Sequence, residues 1–456
     1  MIQTYSLDRG GAPLYEQLYR ALKADILSGV LPGGGKLPSG RALSEHLGVS
    51  RVTVETAYAQ LLAEGYVTSR ERAGYFVEAV TPAAPPLPEP EPAAPDAPEP
   101  AAQTPPARRF PFSVWARLMR GVLLDRRGDL LQSVPDAGLW ALREAVAGEL
   151  YRQRGVRVSP EQVYIGAGAE YFYNLLIQFL GREKIFALEE PGHRKIARVY
   201  QANGVQMRLI RMDGDGVLPA LVGQSGADVL HISPSHHYPT GTVMPITRRQ
   251  ALMRWLTEGP ERYLIEDDYD SEFRFDAHPV PAMQSLDDGG RGIYMNSFSK
   301  SLAPSIRISY MVLPAGLMAA FQQKLGFYSC TVPSFEQYTL ARFLSRGFFE
   351  KHINRMRKFY KSRRNAVVSL LENCSFSHKL TIQEQDAGLH FLLKVDTPLS
   401  DHALTEKLAA LGIRVRALSS YYHDQSEDLH CLVINYSGLK EERLSAALAA
   451  ISGELA

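Results

Sequence analysis

Nowhere in its 456 residues does the chain gather the run of about twenty apolar residues that a membrane-crossing helix needs. The opening MIQTYSLDRGGAPLY lacks the basic stretch and apolar core of a secretory leader, so the cytoplasm is the expected compartment. Cysteine is scarce: Cys330, Cys374 and Cys431 are the only three, far apart and without CxxC or Cys/His spacing. That argues against a disulfide framework and a zinc site; no metal is expected, and the thiols should be free and buried. An excess of either charge is missing too, the formal net charge being +1. A basic module can still be masked by an acidic linker, so charge has to be read locally. With 45% hydrophobic and 22% charged residues the composition is that of a soluble globular chain, and its length calls for roughly two to four folded units.

The sharpest boundary is residues 79–107, AVTPAAPPLPEPEPAAPDAPEPAAQTPPA, where about a third of positions are proline. Such a segment cannot bury a core and reads as a semi-rigid polyproline spacer. It separates a first module, 1–78, from a second, 108–456.

In the first module Leu14, Leu18, Leu22 and Ile26 recur at helical spacing, and the helix should end near Gly29. Ser39 can cap GRALSEHL, and Ser50 can cap RVTVETAYAQLLAEG, which should stop at Gly65. Short helix, glycine turn and longer helix form a helix-turn-helix, and YVTSRERAGYFVEAV reads as a hairpin or wing behind it. Hydroxyl and cationic side chains at the start of the longer helix suit base edges and phosphates; Ser50, Arg51 and Thr53 stand there. Lys36, Arg41, Arg70 and Arg72 add cations nearby. The segment LPSGRALSEHLGVSRVTVETAYAQLLAEGYV with AGYFV resembles the GntR-family winged helix. The resemblance implies DNA contacts from Arg41, Arg51 and Thr53, with Gly74 at the wing tip. Gly40 and Glu55 depart from residues common in that family, so base preference does not transfer.

The second module alternates strand-length apolar runs (VYIGAG, KIFALEEPG, QMRLIRM, DVLHISPSH, YLIEDDY, GIYMNSFSK, RISYMVLP) with helical stretches, the mark of an α/β fold with a mostly parallel sheet. From about Phe335 a long basic amphipathic helix is followed by HFLLKV, GIRVRAL and LHCLVINY, a smaller α+β subdomain. The module resembles class I aminotransferases of pyridoxal 5′-phosphate (PLP) fold type I. The resemblance implies a Schiff-base lysine at Lys300 in SFSK, with Ser297 and Arg307 at the phosphate. It also implies Asp267 in YLIEDDYDSEF opposite the pyridine nitrogen and Tyr269 at the 3′-oxygen. Gly168, Ala169 and Glu170 of AGAEYFYNLL would offer backbone donors at a helix N-terminus, a favourable anion site. His193 falls where an aromatic stacks on the cofactor ring, and Tyr238 in PSHHYPTG stands in register with an asparagine, with His236 close by.

Together the two modules look like the MocR subfamily of transcription regulators. That likeness implies a double-stranded DNA operator, PLP held as an aldimine, and a small amine, amino acid or vitamer as effector. It also implies a head-to-tail homodimer. Two departures bear on the effector: Ser133 stands where the family often has a phosphate-reaching tyrosine, and LHCLVINYSG has no arginine to clamp a carboxylate, although Arg414 and Arg416 lie nearby. A working aminotransferase with a DNA-binding appendage is the alternative reading, and half-transamination activity is compatible with either.

Overall fold

The computed structural model describes residues 3–8, 10–79, 110–275, 281–287, 289–383, 387–423 and 427–455, with side chains as far as 450. Chain contacts divide it into two compact units, Met1–Glu99 and Pro100–Ala456. The proline-rich segment expected at 79–107 lies, Ala79 apart, outside the described residues.

The first unit is three helices, Leu14–Leu27, Gly40–Leu47 and Arg51–Ala63, and the hairpin β1 (Val67–Arg70) and β2 (Gly74–Val77). Its helix starts are held as the sequence requires. Ser39 accepts a hydrogen bond from the Ala42 amide at 3.2 Å and Ser50 one from the Thr53 amide at 3.1 Å, each satisfying an orphan donor. Leu18, Leu22 and Ile26 meet Leu43, Val54, Ala57, Tyr58 and Leu61 in one core, closed by Val67 and Val77 of the hairpin.

The second unit is built on an eight-stranded sheet, formed by β3 (Val163–Gly166), β4 (Ile185–Glu190), β5 (Gln206–Asp213), β6 (Gly216–Val217), β7 (Val229–Ile232), β8 (Tyr263–Asp267), β9 (Gly292–Ser297) and β10 (Ser309–Val312). All seven expected runs form strands, β6 joins them, and the order is β3-β10-β9-β8-β7-β4-β5-β6. The sheet is mixed: β10 runs against both neighbours and β6 against β5, the remaining pairs being parallel. Successive residues bury on opposite faces. Phe186, Ile265 and Met295 pack with Phe172 and Leu176 of the helix Ala169–Leu180, while Ala187 and Leu264 meet Leu252 and Leu256 of the helix Ile246–Glu258. Covered on both sides, the strands read as continuous apolar runs without alternation.

The 25-residue helix Phe348–Glu372 turns Phe349, Ile353, Met356, Tyr360 and Val367 inward. It leads to a four-stranded antiparallel sheet, β11 (Leu380–Gln383), β12 (His390–Val395), β13 (Arg416–Ala417) and β14 (Cys431–Asn435), in the order β11-β12-β14-β13. The cysteines are free, but only Cys431 is buried; Cys330 and Cys374 are half-buried, a correction to the expectation from their apolar surroundings. Among the described residues no helix is long and apolar enough to cross a membrane.

Candidate cofactor site and nucleic-acid interface

In the first unit, the buried face of Arg51–Ala63 is Val54, Ala57, Tyr58 and Leu61, which leaves Arg51 on the outside. Arg51 is paired with Glu55 one turn on, at 2.7 Å, and the exposed Arg41 with Glu45 at 3.0 Å. Exposed i,i+4 pairs are worth little, so both guanidinium groups can be transferred to phosphate or base acceptors at small cost. Glu55, the family departure, is thus the counterion of Arg51. The Ser50 and Thr53 hydroxyls lie 2.8 Å apart and hydrogen-bond each other. In the wing Gly74 pairs with Arg70, whose guanidinium lies 4.5 Å from the centre of the Phe76 ring. Lys36 approaches the same ring at 6.0 Å.

The candidate cofactor residues come from distant parts of the second unit and follow the carboxyl ends of β3, β4, β7, β8 and β9, the end at which open α/β sheets carry ligands. Asp267 closes β8. Its carboxylate accepts a hydrogen bond from the Tyr173 hydroxyl and stands 3.7 Å from His231 Nε2. Burial, reinforced by that carboxylate, drives the Tyr173 phenol far above its ordinary value, so the hydroxyl remains a donor. Lys300 lies in the short helix Phe298–Ser301 directly after β9. Burial pulls its ammonium pKa down, and the negative charge of Asp270 partly opposes this. A shift in that direction favours the neutral, nucleophilic amine.

Gly168 opens the helix Ala169–Leu180 at φ 97° with no side-chain cap, leaving backbone donors at its N-terminus. A Cβ there would come within 2.5 Å of Arg307 Nη2 and 2.9 Å of Glu170 Oε2, so the position needs glycine. Arg307 donates to the Ala167 carbonyl at 3.3 Å and to Glu170 at 3.2 Å, and Lys195 pairs with the same carboxylate. Two cations and a helix start thus surround one anionic group, the donor set a phosphate requires. Ser297 is engaged locally, accepting from the Ser299 amide at 3.2 Å with its hydroxyl 2.8 Å from that of Ser299.

His193 caps the helix Arg194–Ala202, its Nδ1 accepting from the Lys195 amide at 3.2 Å, and its ring is 5.4 Å from that of Tyr238. Tyr238 joins the Tyr421 hydroxyl at 2.6 Å. Arg416, aligned with Val433 across β13 and β14, also hydrogen-bonds Tyr421, while Val433 sits in an apolar cluster with Leu392 and Leu418. Tyr269 is half-buried, its hydroxyl 3.2 Å from His236 Nδ1. Sequence reasoning missed Tyr173, His231, Asp270, His390 and Arg154. The doubled histidine of PSHHYPTG and the third aspartate of EDDYDSEF were the available signals.

Behind the site, burial pushes the Glu189 carboxyl up to about 8, and burial with the nearby His236 takes His237 down to about 3. The two groups approach to 3.5 Å, and Glu189 accepts from the Ser233 amide at 2.8 Å. A carboxyl whose folded pKa is raised from its ordinary 4.5 binds more protons in the folded state, so stability falls as pH rises between those two values. The urea midpoint is accordingly expected to decline from about pH 5 to about pH 8, and Glu189→Gln to flatten that slope. An unaltered slope in the variant would remove Glu189 as its source.

Residues 14–77 match the family described as bacterial regulatory proteins, gntR family, and residues 107–451 match aminotransferase class I and II. A DNA-reading fold and an aminotransferase fold in one chain make a composite transcription regulator. The chain is 37% identical to the HTH-type transcriptional regulator YdeL of Bacillus subtilis, with 90% of each chain covered. It is 32% identical to the probable rhizopine catabolism regulatory protein MocR of Rhizobium meliloti, over 95% of this chain and 92% of that relative. The chain belongs to the MocR subfamily of GntR-family regulators. Its second unit shares the fold of Pyrococcus horikoshii kynurenine aminotransferase, with a TM-score of 0.69 at 23% identity, covering 78% of this chain and 91% of that one.

Proposed function

We infer that this regulator works in the cytoplasm as a homodimer, arranged head to tail, whose second unit holds PLP on Lys300 and senses a small amine, amino acid or vitamer. The observation that supports this reading is that Asp267 and Tyr269 follow the end of β8 and Lys300 the end of the adjacent parallel strand β9, with Arg307 donating to the Ala167 carbonyl just before the helix Ala169–Leu180. When bound, the cofactor supplies an electrophilic carbon that can exchange one amine for another. Lys300 would be its attachment point and Asp267, braced by Tyr173, would hold the pyridine nitrogen protonated. Arg307 and the amides of Gly168, Ala169 and Glu170 would take the phosphate, with Ser297 released from its local bonds to join them. His193 and Tyr238 would border the ring. The absence of an arginine from LHCLVINYSG, the run that forms β14, favours sensing over turnover, because efficient catalysis requires the substrate to be clamped in its reactive geometry.

On the DNA side, Arg41, Ser50, Arg51, Thr53 and Gly74 would line the operator interface. Arg51→Ala is expected to weaken operator binding by about 1–3 kcal/mol if it reads a base, with cofactor content unchanged. Affinities for selected operator and random DNA, each measured with and without a panel of amines, test the function. Equal affinity of the variant and the parent for both DNAs would dismiss Arg51, and an amine panel that never alters operator affinity would dismiss the sensor.

A further inference from the structure

Val52 is the second residue of the helix Arg51–Ala63 and takes no part in the core of the first unit. At 69% it is the most exposed large hydrophobic side chain of that unit among the described residues; Val30 follows at 53% and Leu62 at 39%. It stands two residues before the buried Val54, about 200° round the helix, on the side that faces away from the core. Thr56 and Ala59, four and seven residues further on, are exposed on the same side, and neither carries a charge. The charged neighbours Arg51 and Glu55 lie to one flank, paired with each other.

Nothing in the fold asks for valine at this position. A β-branched side chain loses rotamer freedom in a helix, and an exposed one buries little apolar surface in return. Alanine, lysine or glutamate would suit the helix better. Valine has no hydrogen-bond donor either, so it adds nothing to the phosphate contacts that make up the sequence-independent part of DNA binding. What it offers is two methyl groups on the N-terminal turn, the turn that meets base edges when such a helix enters a major groove. In that groove adenine, guanine and cytosine present donors and acceptors, while thymine adds an apolar C5-methyl.

We propose that Val52 is a specificity-determining residue of the operator interface, packing its methyl groups against the C5-methyl of a thymine. This rests on the helix Arg51–Ala63 being the one that reads the operator.

The test uses the full-length protein and an operator that it selects from random duplexes. Each thymine of that operator is replaced in turn by deoxyuridine, which removes the C5-methyl and leaves every hydrogen-bonding group unchanged. At one thymine or more the replacement is expected to weaken binding by about 3- to 5-fold, the worth of burying one methyl group. Val52→Ala keeps the helix, because the site is exposed and alanine is the better helix former, and is expected to bind thymine and deoxyuridine at that position equally. Val52→Thr keeps the branched shape and one methyl, and should retain part of the discrimination. Random DNA should be bound equally by the parent and Val52→Ala. A sensitivity to deoxyuridine that Val52→Ala retains in full would overturn the proposal. So would a loss in Val52→Ala that is the same on operator, deoxyuridine operator and random DNA, since it would come from the backbone or the fold. An operator preference that Arg51→Ala loses but that ignores deoxyuridine at every thymine would leave the reading of the helix standing and overturn the proposal alone. A parent protein that selects no operator would overturn both.

Discussion

Lys300→Ala protein, incubated with PLP and reduced with borohydride, is expected to carry no covalently attached cofactor while keeping its circular dichroism. The loss should be complete because the linkage needs an amine at the end of β9, the parallel neighbour of the strand that Asp267 closes. Lys300 stands at the exit of β9, where burial lowers its ammonium pKa. Lys195 is a rival to consider, but it is ion-paired with Glu170 beside the anion cradle. Peptide mapping of the reduced parent protein decides between them. Cofactor recovered on the Lys195 peptide, or on any peptide other than that of Lys300, would sink the assignment.

Arg154→Met is expected to destabilise the second unit by about 3–5 kcal/mol, the usual cost of stranding one partner of a buried ion pair. Arg154 Nη2 meets Asp268 at 3.0 Å with side chains 5% and 1% exposed, and also donates to Ser235 at 2.7 Å. Asp268 accepts a further hydrogen bond from the Tyr294 hydroxyl at 2.6 Å. Asp268 stands between Asp267 and Tyr269 in the chain, so this anchor sets where both of its neighbours lie. Urea denaturation of the parent and variant measures the effect. A loss under about 1 kcal/mol would mean that the site relaxes around the vacancy and that the anchor is dispensable.

Much of this was legible in the sequence because it depends on local chemistry. Ser39 and Ser50 announce their helices through a cap that acts within three residues, and the apolar runs of the second unit name their strands. Strand direction was not legible: RISYMVLP looks like its neighbours, yet β10 runs against them, because orientation is set by the path of the connections. The same limit applied to the site. Lys300 and Asp267 stand in motifs, but Tyr173 is an ordinary aromatic in a helical stripe until folding brings its hydroxyl to Asp267. Arg416 could not be placed from spacing, since its position depends on the β13–β14 register that sets it beside Val433. Asp270 and His236 are separated by 34 residues, and no periodicity links them.

The cleft is assembled from short segments strewn between Ala167 and Tyr421, none of which holds more than a few of its groups. No short fragment of the second unit can therefore offer all of these groups at once. Occupancy of the cleft then acts as a clasp on the whole unit. A ligand that binds the folded form alone raises its melting temperature in proportion to the logarithm of ligand concentration, however far the melting segment is from the cleft.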